Sequence, residues 1–193
     1  LLVLKILYSN NMKKLLLFLG IPLLSFGQYS EIYKVIKTVE NVEFREYVPL
    51  LFVSYINPGN ENTTNSSFRV LANYIFGEND ADEEIAMTSP VVIRLFNNNE
   101  MLFRMPKKYT TRNVPKPNNP DIKFVETNCV QKAVIRYSGY TNALKENKKI
   151  EELKKVLNAQ GIKHNHKFEL FVYDPPYKFI NRRNEISVDV IKN

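Results

Sequence analysis

Hydrophobic residues in the first half of the chain follow the spacing of strands, then of a helix, then of strands again. Residues 43–56 have the alternating and continuous apolar character of strands. Segments 85–95 and 101–106 are also strand-like. Between them, residues 66–77 have the period of a helix, preceded by serines and ended by a glycine. Its apolar face contains Phe68, Leu71, Ala72 and Ile75.

The second half of the chain shows the same order of patterns. Residues 122–140 predict two strands, and residues 168–176 and 184–191 predict the closing pair. The stretch between them, residues 147–162, has a helical period. Its apolar face contains Ile150, Leu153, Val156 and Leu157.

This repetition predicts a duplicated fold. Leu71 and Leu153 occupy the same place in the two helices and are 82 positions apart. The two pseudo-repeats, about residues 31–106 and 121–191, each have the order strand–strand–helix–strand–strand. One repeat alone buries too little surface to be stable, so we expect the two to join through their sheets. The predicted fold class is α+β, a distorted β-barrel flanked by two helices.

Prolines mark two further features. Pro90 and Pro175 each follow a strand-like run, and a proline interrupts strand hydrogen bonding. We interpret them as equivalent strand bends at the rim of the barrel.

Residues 107–121 are polar and rich in proline and asparagine, which predicts an exposed connector between the repeats. A flap that covers a ligand is the alternative for this segment.

The N-terminal segment has the pattern of an export signal. Residues 12–27 combine two lysines, an apolar run too short to span a membrane, and small residues at Ser25 and Gly27. Residues 1–11 are interpreted as upstream read-through. The remaining 28–193 would form a single domain outside the cytoplasm, periplasmic or extracellular. A short anchor helix is the alternative for the apolar run.

Net charge, hydropathy and cysteine content argue against several classes of protein. The chain has a net charge of +7, which falls to +4 when residues 1–27, with Lys5, Lys13 and Lys14, are excluded. This mild excess does not predict a nucleic-acid partner. The mean hydropathy of −0.30 argues against a polytopic membrane protein. Cys129 is the single cysteine, so no internal disulfide can form, and we expect it to be a small buried residue.

Patterns typical of enzymes are scarce. The nucleophile elbow, the phosphate-binding loop and the dinucleotide-binding glycine motif are all missing from the sequence. His164 and His166 would share one face of a strand, but two histidines are fewer ligands than a zinc site needs. A solvated strand entrance is the favoured interpretation. Glu83 and Glu84 are expected to be solvated residues that flank a strand. A non-catalytic protein is therefore predicted.

A second edge of the first helix suggests a binding surface. Phe68, Ala72 and Phe76 follow one another along this edge, with Arg69 and Asn73 beside them. Exposed rings next to a cation suit a flat apolar ligand that carries acidic groups. The alternative is that the two phenylalanines complete the core.

A loop near the C-terminus has a similar composition. Residues 174–185, DPPYKFINRRNE, combine aromatic and basic side chains. Aromatic rings can stack on a ligand ring, and arginine can bind carboxylates. A rim loop whose charges face water is the alternative.

The chain resembles the SOUL haem-binding protein family. Four motifs carry the resemblance in order, from about Tyr33 to Val190: YKVIKTVENVEFREY, FRVLANYIFGEN, IAMTSPV and YDPPYKFINRRNEISVDV. The resemblance implies the duplicated barrel plan, which is also that of the gyrase-inhibitor-like ligand-binding domains. It further implies non-covalent binding of haem or a related tetrapyrrole in a shallow apolar groove between the first helix and the late proline-rich loop.

Position by position, this implies a set of ligand-contacting residues. The ring would contact Phe68, Ala72 and Phe76 on the helix and Met87 in the IAMTSPV motif. The other wall would be Pro176, Tyr177 and Phe179. The propionates would be held by Arg69, Lys178 or Arg182. Since no histidine precedes His164, tyrosine, methionine or no protein side chain would ligate the iron.

The function expected from these observations is that of an exported, non-catalytic tetrapyrrole-binding protein that scavenges, buffers or carries haem. Two alternatives remain. One is a module that binds another amphipathic small molecule. The other is a domain whose exposed aromatic residues contact another protein.

Overall fold

The computed structural model describes residues 32–58 and 64–191 of the 193-residue chain. These residues form nine strands and two helices. The signal segment proposed for residues 12–27 lies outside them. In chain order the elements are β1 (Tyr33–Val39), β2 (Val42–Tyr47), β3 (Leu51–Tyr55), α1 (Thr64–Ile75), β4 (Val91–Arg94), β5 (Glu100–Arg104), β6 (Lys123–Glu126), β7 (Val130–Ser138), α2 (Ala143–Ala159), β8 (Glu169–Val172) and β9 (Arg183–Asp189).

The strands form one curled antiparallel sheet in the order β1-β2-β7-β9-β8-β4-β5-β3-β6. From the central β8–β4 pair outward, each strand of one repeat has its counterpart in the other: β9 with β5, β7 with β3, and β2 with β6. Each repeat therefore has the order strand–strand–helix–strand–strand, with β1 added at one edge. The predicted fold class is confirmed.

The two faces of the sheet differ in chemistry because side chains alternate along each strand. Both helices pack on one face, α1 on β3 and β5, and α2 on β7 and β9. Leu71, Leu153 and Leu157 from the helices join Ala133 and Ile135 from β7 in one buried cluster. The opposite face, here called the helix-free face, carries the intervening residues of each strand, many of them charged.

The helix boundaries differ from the prediction by a few residues. α1 begins two residues earlier and ends at Ile75, although the amide of Phe76 still donates to Ala72 O at 2.9 Å. α2 begins at Ala143 because Asn142 caps it, accepting a hydrogen bond from the amide of Lys145. Asparagine at this position satisfies a free amide of the first turn. The apolar face predicted for this helix is the buried one.

The predicted equivalence of Pro90 and Pro175 is wrong. Pro90 follows a cis peptide bond and leads into β4, whereas Pro175 follows the end of β8. Residues 85–90, expected to continue the strand, are irregular. The two prolines do lie at the same end of the sheet, because Val91 pairs with Val172 in antiparallel register. Local patterns show a break in a strand but not whether it precedes or follows the paired segment.

The connector at residues 107–121 is less exposed than expected. Tyr109 and Val114 are buried, and Pro115 O accepts a 2.8 Å hydrogen bond from the hydroxyl of Tyr74 on α1. Asp80 and Lys116 exchange two hydrogen bonds across the same junction. The connector therefore fastens the C-terminal end of α1 to the sheet, and the composition alone did not indicate this role.

Candidate functional site

The edge of α1 predicted from the sequence faces solvent in part. Phe76 is 68% exposed and Phe68 is 41% exposed, whereas Ala72 between them is buried. Phe68 also packs on Phe103 of β5, with ring centroids 5.2 Å apart. Both phenylalanines thus present rings to solvent while the backbone beneath them is anchored in the core. Arg69 is exposed beside them.

Met87 lies on the segment that joins α1 to the central strands. The amide of Ile85 donates to Ile75 O at the end of the helix. Two residues beyond Met87, the hydroxyl of Ser89 donates to Tyr173 O at 3.0 Å. Met87 itself is 43% exposed. The segment therefore links the exposed edge of α1 to the end of β8, where the second predicted wall begins.

That second wall is the proline loop, defined here as residues 174–182 between β8 and β9. Tyr177, Phe179 and Ile180 are 81%, 71% and 63% exposed. Pro176 is exposed beside them, and its carbonyl accepts a hydrogen bond from the hydroxyl of Tyr140. Soluble proteins rarely expose several large apolar side chains next to one another, so such a cluster indicates a binding surface. The exposed rings of α1, Met87 and the proline loop are called the aromatic surface below.

A buried arginine holds the proline loop in shape. Arg182 is only 7% exposed. Its Nη1 donates to Pro175 O at 2.6 Å and to Lys178 O at 2.7 Å, and its guanidinium lies 4.7 Å from the centre of the Tyr140 ring. Backbone carbonyls of a loop need donors, and one arginine fork supplies several at once. The apolar side chains are therefore displayed on a fixed backbone.

Asp174 fastens the start of the same loop. Its carboxylate accepts hydrogen bonds from Lys178 Nζ and from the amide of Arg183, each at 2.6 Å. Partial burial would raise the pKa of Asp174, but these two hydrogen bonds outweigh it and hold the pKa below its ordinary value. The loop is thus closed by an ionised carboxylate, which also forms an ion pair with the exposed Lys178.

These contacts change the set of propionate anchors expected from the resemblance. The geometry opposes that role for Arg182, because its guanidinium is buried and donates to the carbonyls of its own loop. Lys178 is engaged with Asp174 but remains at the surface. Arg69 is exposed on the other wall. The sequence identified Arg182 as a cation, but only the tertiary structure gives it a structural partner.

A cavity of about 310 Å³ lies on the helix-free face, at a place that no pattern in the sequence indicates. Apolar side chains supply much of its lining: Ile32, Tyr47, Leu50, Phe52, Pro90, Val92, Leu102, Val130 and Phe171. They come from strands far apart in sequence. Alternation within a strand was visible in the sequence, but the curl that turns alternate positions into a cavity wall was not.

The rest of the lining is polar, and four of its charged side chains, Arg94, Lys132, Glu169 and Asp189, belong to a chain of ion pairs. Lys132 Nζ lies 2.8 Å from a carboxylate oxygen of Glu169 and 2.5 Å from one of Asp189. Arg94 lies 3.1 Å from Glu100 and 3.4 Å from Glu169. These pairs cross β7, β9, β8, β4 and β5. Along this chain of contacts each cation is shared between two carboxylates, Lys132 between Asp189 and Glu169 and Arg94 between Glu169 and Glu100.

A second polar cluster on the same face surrounds Glu185, which is fully buried. Its carboxylate accepts hydrogen bonds from Arg45, from Arg183 and from the hydroxyl of Tyr173. Burial alone would raise the pKa of Glu185, but the hydrogen bonds and charges of the two arginines lower it. Burial raises the pKa of Tyr173, so the phenol keeps its proton and donates it to this carboxylate.

Two predictions about single residues fail. Cys129 is exposed, not buried, because it lies in the turn between β6 and β7, where it lines the cavity. His164 is buried, not solvated. Its Nδ1 accepts a hydrogen bond from the amide of His166, and burial, with the charges of His166 and Lys154, lowers its pKa.

Among the residues that the structure describes, no group of three or more His, Cys, Asp or Glu side chains is arranged to hold a metal ion.

Within the described part of the chain, neither helix has the length and apolar character needed to cross a membrane.

Solved structures share this architecture. The C-terminal domain of EcmrR superimposes with a TM-score of 0.56 over 83% of this chain and 99% of that one, at 13% identity. A hydrolase from Listeria innocua superimposes with a TM-score of 0.53 over 81% of this chain and 94% of that one, at 9% identity. At such low identity these likenesses show a common fold and nothing about activity.

Sequence similarity identifies the family of the chain, which the shared fold does not. Heme-binding protein 1 of Xenopus laevis is 27% identical over 155 residues, which are 75% of this chain and 80% of that protein. The protein of the same name from Xenopus tropicalis is 28% identical with the same coverage. The family model described as SOUL heme-binding protein matches residues 30–189. The chain therefore belongs to the SOUL haem-binding protein family.

Proposed function

We propose that the protein binds haem or a related tetrapyrrole non-covalently on the aromatic surface, without catalysing a reaction, and that it scavenges, buffers or carries this ligand. The observation that carries the proposal is the proline loop, whose exposed Tyr177, Phe179 and Ile180 are held in place by the buried Arg182. A fixed loop loses little conformational entropy on binding, which favours affinity for a rigid flat ligand. The relatives named for haem binding support the choice of ligand.

The residues present fit such a ligand in their chemistry. A tetrapyrrole has two apolar faces, which Phe76 and Phe179 can cover, and acidic propionates at one edge. Arg69 and Lys178 are the exposed cations of the aromatic surface. Met87 is exposed on the segment between α1 and β4, and in this proposal it contacts the ring or offers its sulfur to the iron. We assign Arg182 the task of holding the loop and not of binding the ligand.

The export of the protein is part of the same proposal and rests on the pattern of residues 12–27. Cleavage of this segment would release a chain that begins at Gln28, outside the cytoplasm. We expect N-terminal sequencing of the protein recovered from the periplasm or medium of expressing cells to start at Gln28. Recovery only from the cytoplasm, with the N-terminal segment uncut, would refute export and leave the ligand proposal standing.

The test of haem binding uses a pair of surface substitutions. The double variant Phe68→Asp with Phe179→Asp should lose saturable hemin binding, because two carboxylates would replace the rings on both walls. Its far-UV circular dichroism should match the wild type, since both side chains are exposed. Titration followed by visible absorption measures the effect. The wild type should give a shifted Soret band with one-to-one stoichiometry.

A matched control comes from the turn between β4 and β5. Phe96 is 44% exposed, close to the exposure of Phe68, but lies away from both walls of the aromatic surface. Phe96→Asp should bind hemin as the wild type does. Unchanged affinity in the double variant would show that the aromatic surface is not the site. A broad, unsaturable band with the wild type would refute haem as the ligand.

A further inference from the structure

The cavity on the helix-free face is separate from the aromatic surface and has the features of a second binding site. Its volume of about 310 Å³ is at the lower end of the range for small-molecule pockets in proteins. Strands β2, β3, β4, β5, β7, β8 and β9 all contribute to its wall. A site built across both repeats of a continuous sheet is pre-formed, so a ligand would not have to order the chain on entry.

The deep wall offers an apolar contact surface with aromatic rings. Tyr47 and Phe171 pack edge to face, with centroids 6.3 Å apart, and both line the cavity. Val92 is paired with Leu102 on one side and with Phe171 on the other, so the three side chains form a row on this face. Such a surface suits an aromatic or alicyclic ring system.

The charged groups of the lining are already engaged with partners in the protein. Lys132 is shared between Glu169 and Asp189, and Arg94 between Glu169 and Glu100. Arg104 donates a hydrogen bond to Ser89 O and also interacts with another group of the protein. An ionised ligand beside the pairs of Lys132 and Arg94 would have to leave its charge without a counter-ion or break one of them, and either is costly in a partly buried site.

We propose that this cavity binds an uncharged small molecule with an aromatic or alicyclic ring system. The site is independent of the aromatic surface, because its wall comes from the opposite face of the sheet to that covered by α1. The pairing of Lys132 and Arg94 with carboxylates disfavours a dianionic tetrapyrrole and favours a neutral ligand. The proposal therefore goes beyond tetrapyrrole binding and does not depend on it.

Cys129 provides a site-specific reporter for this cavity. It is the single cysteine of the chain, it is exposed, and it lines the cavity in the turn between β6 and β7. A ligand seated in the cavity should therefore slow the reaction of its thiol with a disulfide reagent such as DTNB. The reporter is native, so no substitution in the wall has to be tolerated by the fold.

The experiment compares two dyes with the same ring system and different charge. N-phenyl-1-naphthylamine is neutral, and 8-anilinonaphthalene-1-sulfonate carries one sulfonate. We expect the neutral dye to bind at least tenfold more tightly than the sulfonate, judged by fluorescence titration. At saturation it should slow the modification of Cys129 at least fivefold.

Two variants locate the effect. In Cys129→Ser with Lys155→Cys, the thiol is on the exposed side of α2, and the neutral dye should leave its rate unchanged. In Phe68→Asp with Phe179→Asp, the aromatic surface is disabled, and the protection of Cys129 should persist. The inference is overturned if the neutral dye fails to bind, binds without protecting Cys129, loses its protection in the second variant, or binds no more tightly than the sulfonate. Hemin titration is a separate measurement, so either proposal can fail alone.

Discussion

Replacing Glu185 with glutamine is expected to lower the free energy of unfolding by about 3–5 kcal/mol, the cost typical of removing one partner of a buried ion pair. Glu185 is fully buried, and the side chain of Arg45 is 2% exposed. The two form a bidentate pair, with Arg45 nitrogens 2.7 and 3.0 Å from the carboxylate oxygens. Glutamine keeps the shape but removes the negative charge, so Arg45 would lose its buried counter-ion and keep the partly exposed Glu43, 2.8 Å away.

The neighbours of Glu185 make the effect larger than a single pair would. Arg183 donates to the same carboxylate at 2.7 and 2.9 Å, and the hydroxyl of Tyr173 donates at 2.8 Å. The carboxylate accepts all of these bonds, whereas an amide replaces one acceptor oxygen with a donor. Glu185→Gln would thus bring an NH₂ group against donors that already point at it.

Denaturant unfolding at neutral pH, followed by circular dichroism, measures this loss. Glu151→Gln is the control, because Glu151 is paired with Lys154 on the surface of α2 and its side chain is 65% exposed. Surface pairs of this kind contribute little, so the control should unfold close to the wild type. A loss in Glu185→Gln no greater than in the control would show that the buried network does not stabilise the fold.

The same network predicts a dependence of stability on pH. The pKa of Glu185 is lowered in the folded protein, so the folded state binds the proton less tightly than the unfolded state. Its contribution is therefore complete above the ordinary carboxyl pKa of about 4.5 and is lost as the pH falls from there through the folded pKa. The Glu185→Gln variant should show a shallower loss of stability over this acidic range. An equal slope in both proteins would contradict the assignment.

Replacing Arg182 with glutamine is expected to loosen the proline loop and to weaken hemin binding at least tenfold. Arg182 donates to Pro175 O, Lys178 O and Asp174 O, and hydrogen bonds to a charged donor are each worth about 1.5–3 kcal/mol. Without them the loop would have to be ordered at the moment of binding, and about 1.4 kcal/mol of added cost is a tenfold loss of affinity. Hydrogen exchange of the loop amides should rise in parallel.

The conservative variant Arg182→Lys separates this role from that of a propionate anchor. Lysine keeps the charge but lacks the planar fork that reaches several carbonyls. If Arg182 holds the loop, lysine should be nearly as damaging as glutamine, both in exchange and in affinity. Affinity close to wild type with lysine, together with unchanged exchange in both variants, would instead show that the positive charge at this position binds the ligand.

The order of elements was accessible from the sequence because it depends on local periodicity. The helical period in residues 147–162 identified the face that buries Leu153, Val156 and Leu157. The repeat of that order predicted the duplicated sheet. The prediction failed where a residue's environment depends on distant strands. Pro90 and Pro175 look equivalent in the sequence but lie at opposite ends of their strands, and Cys129 lies in an exposed turn between β6 and β7 although its segment resembles a buried strand.

For the candidate site too, local features were predictable from the sequence and contacts between distant residues were not. Phe68, Phe76, Tyr177 and Phe179 were chosen from composition and spacing, and the structure exposes all four. Their role in binding stays a prediction. Arg182 was chosen for its charge, which is a property of the residue, but its partners are carbonyls brought back to it by the fold of the loop.

Apolar periodicity and motif order are properties of the linear chain, and they suffice to predict a duplicated α+β domain that resembles the SOUL family. Which polar side chains are buried depends on the tertiary structure. Glu185 and Arg45 are 140 positions apart, and Lys132 reaches Asp189 only because β7 and β9 are neighbours in the sheet. Alternation places such residues on one face of a strand. Their burial requires the curl of the whole sheet, which results from pairing between strands far apart in sequence.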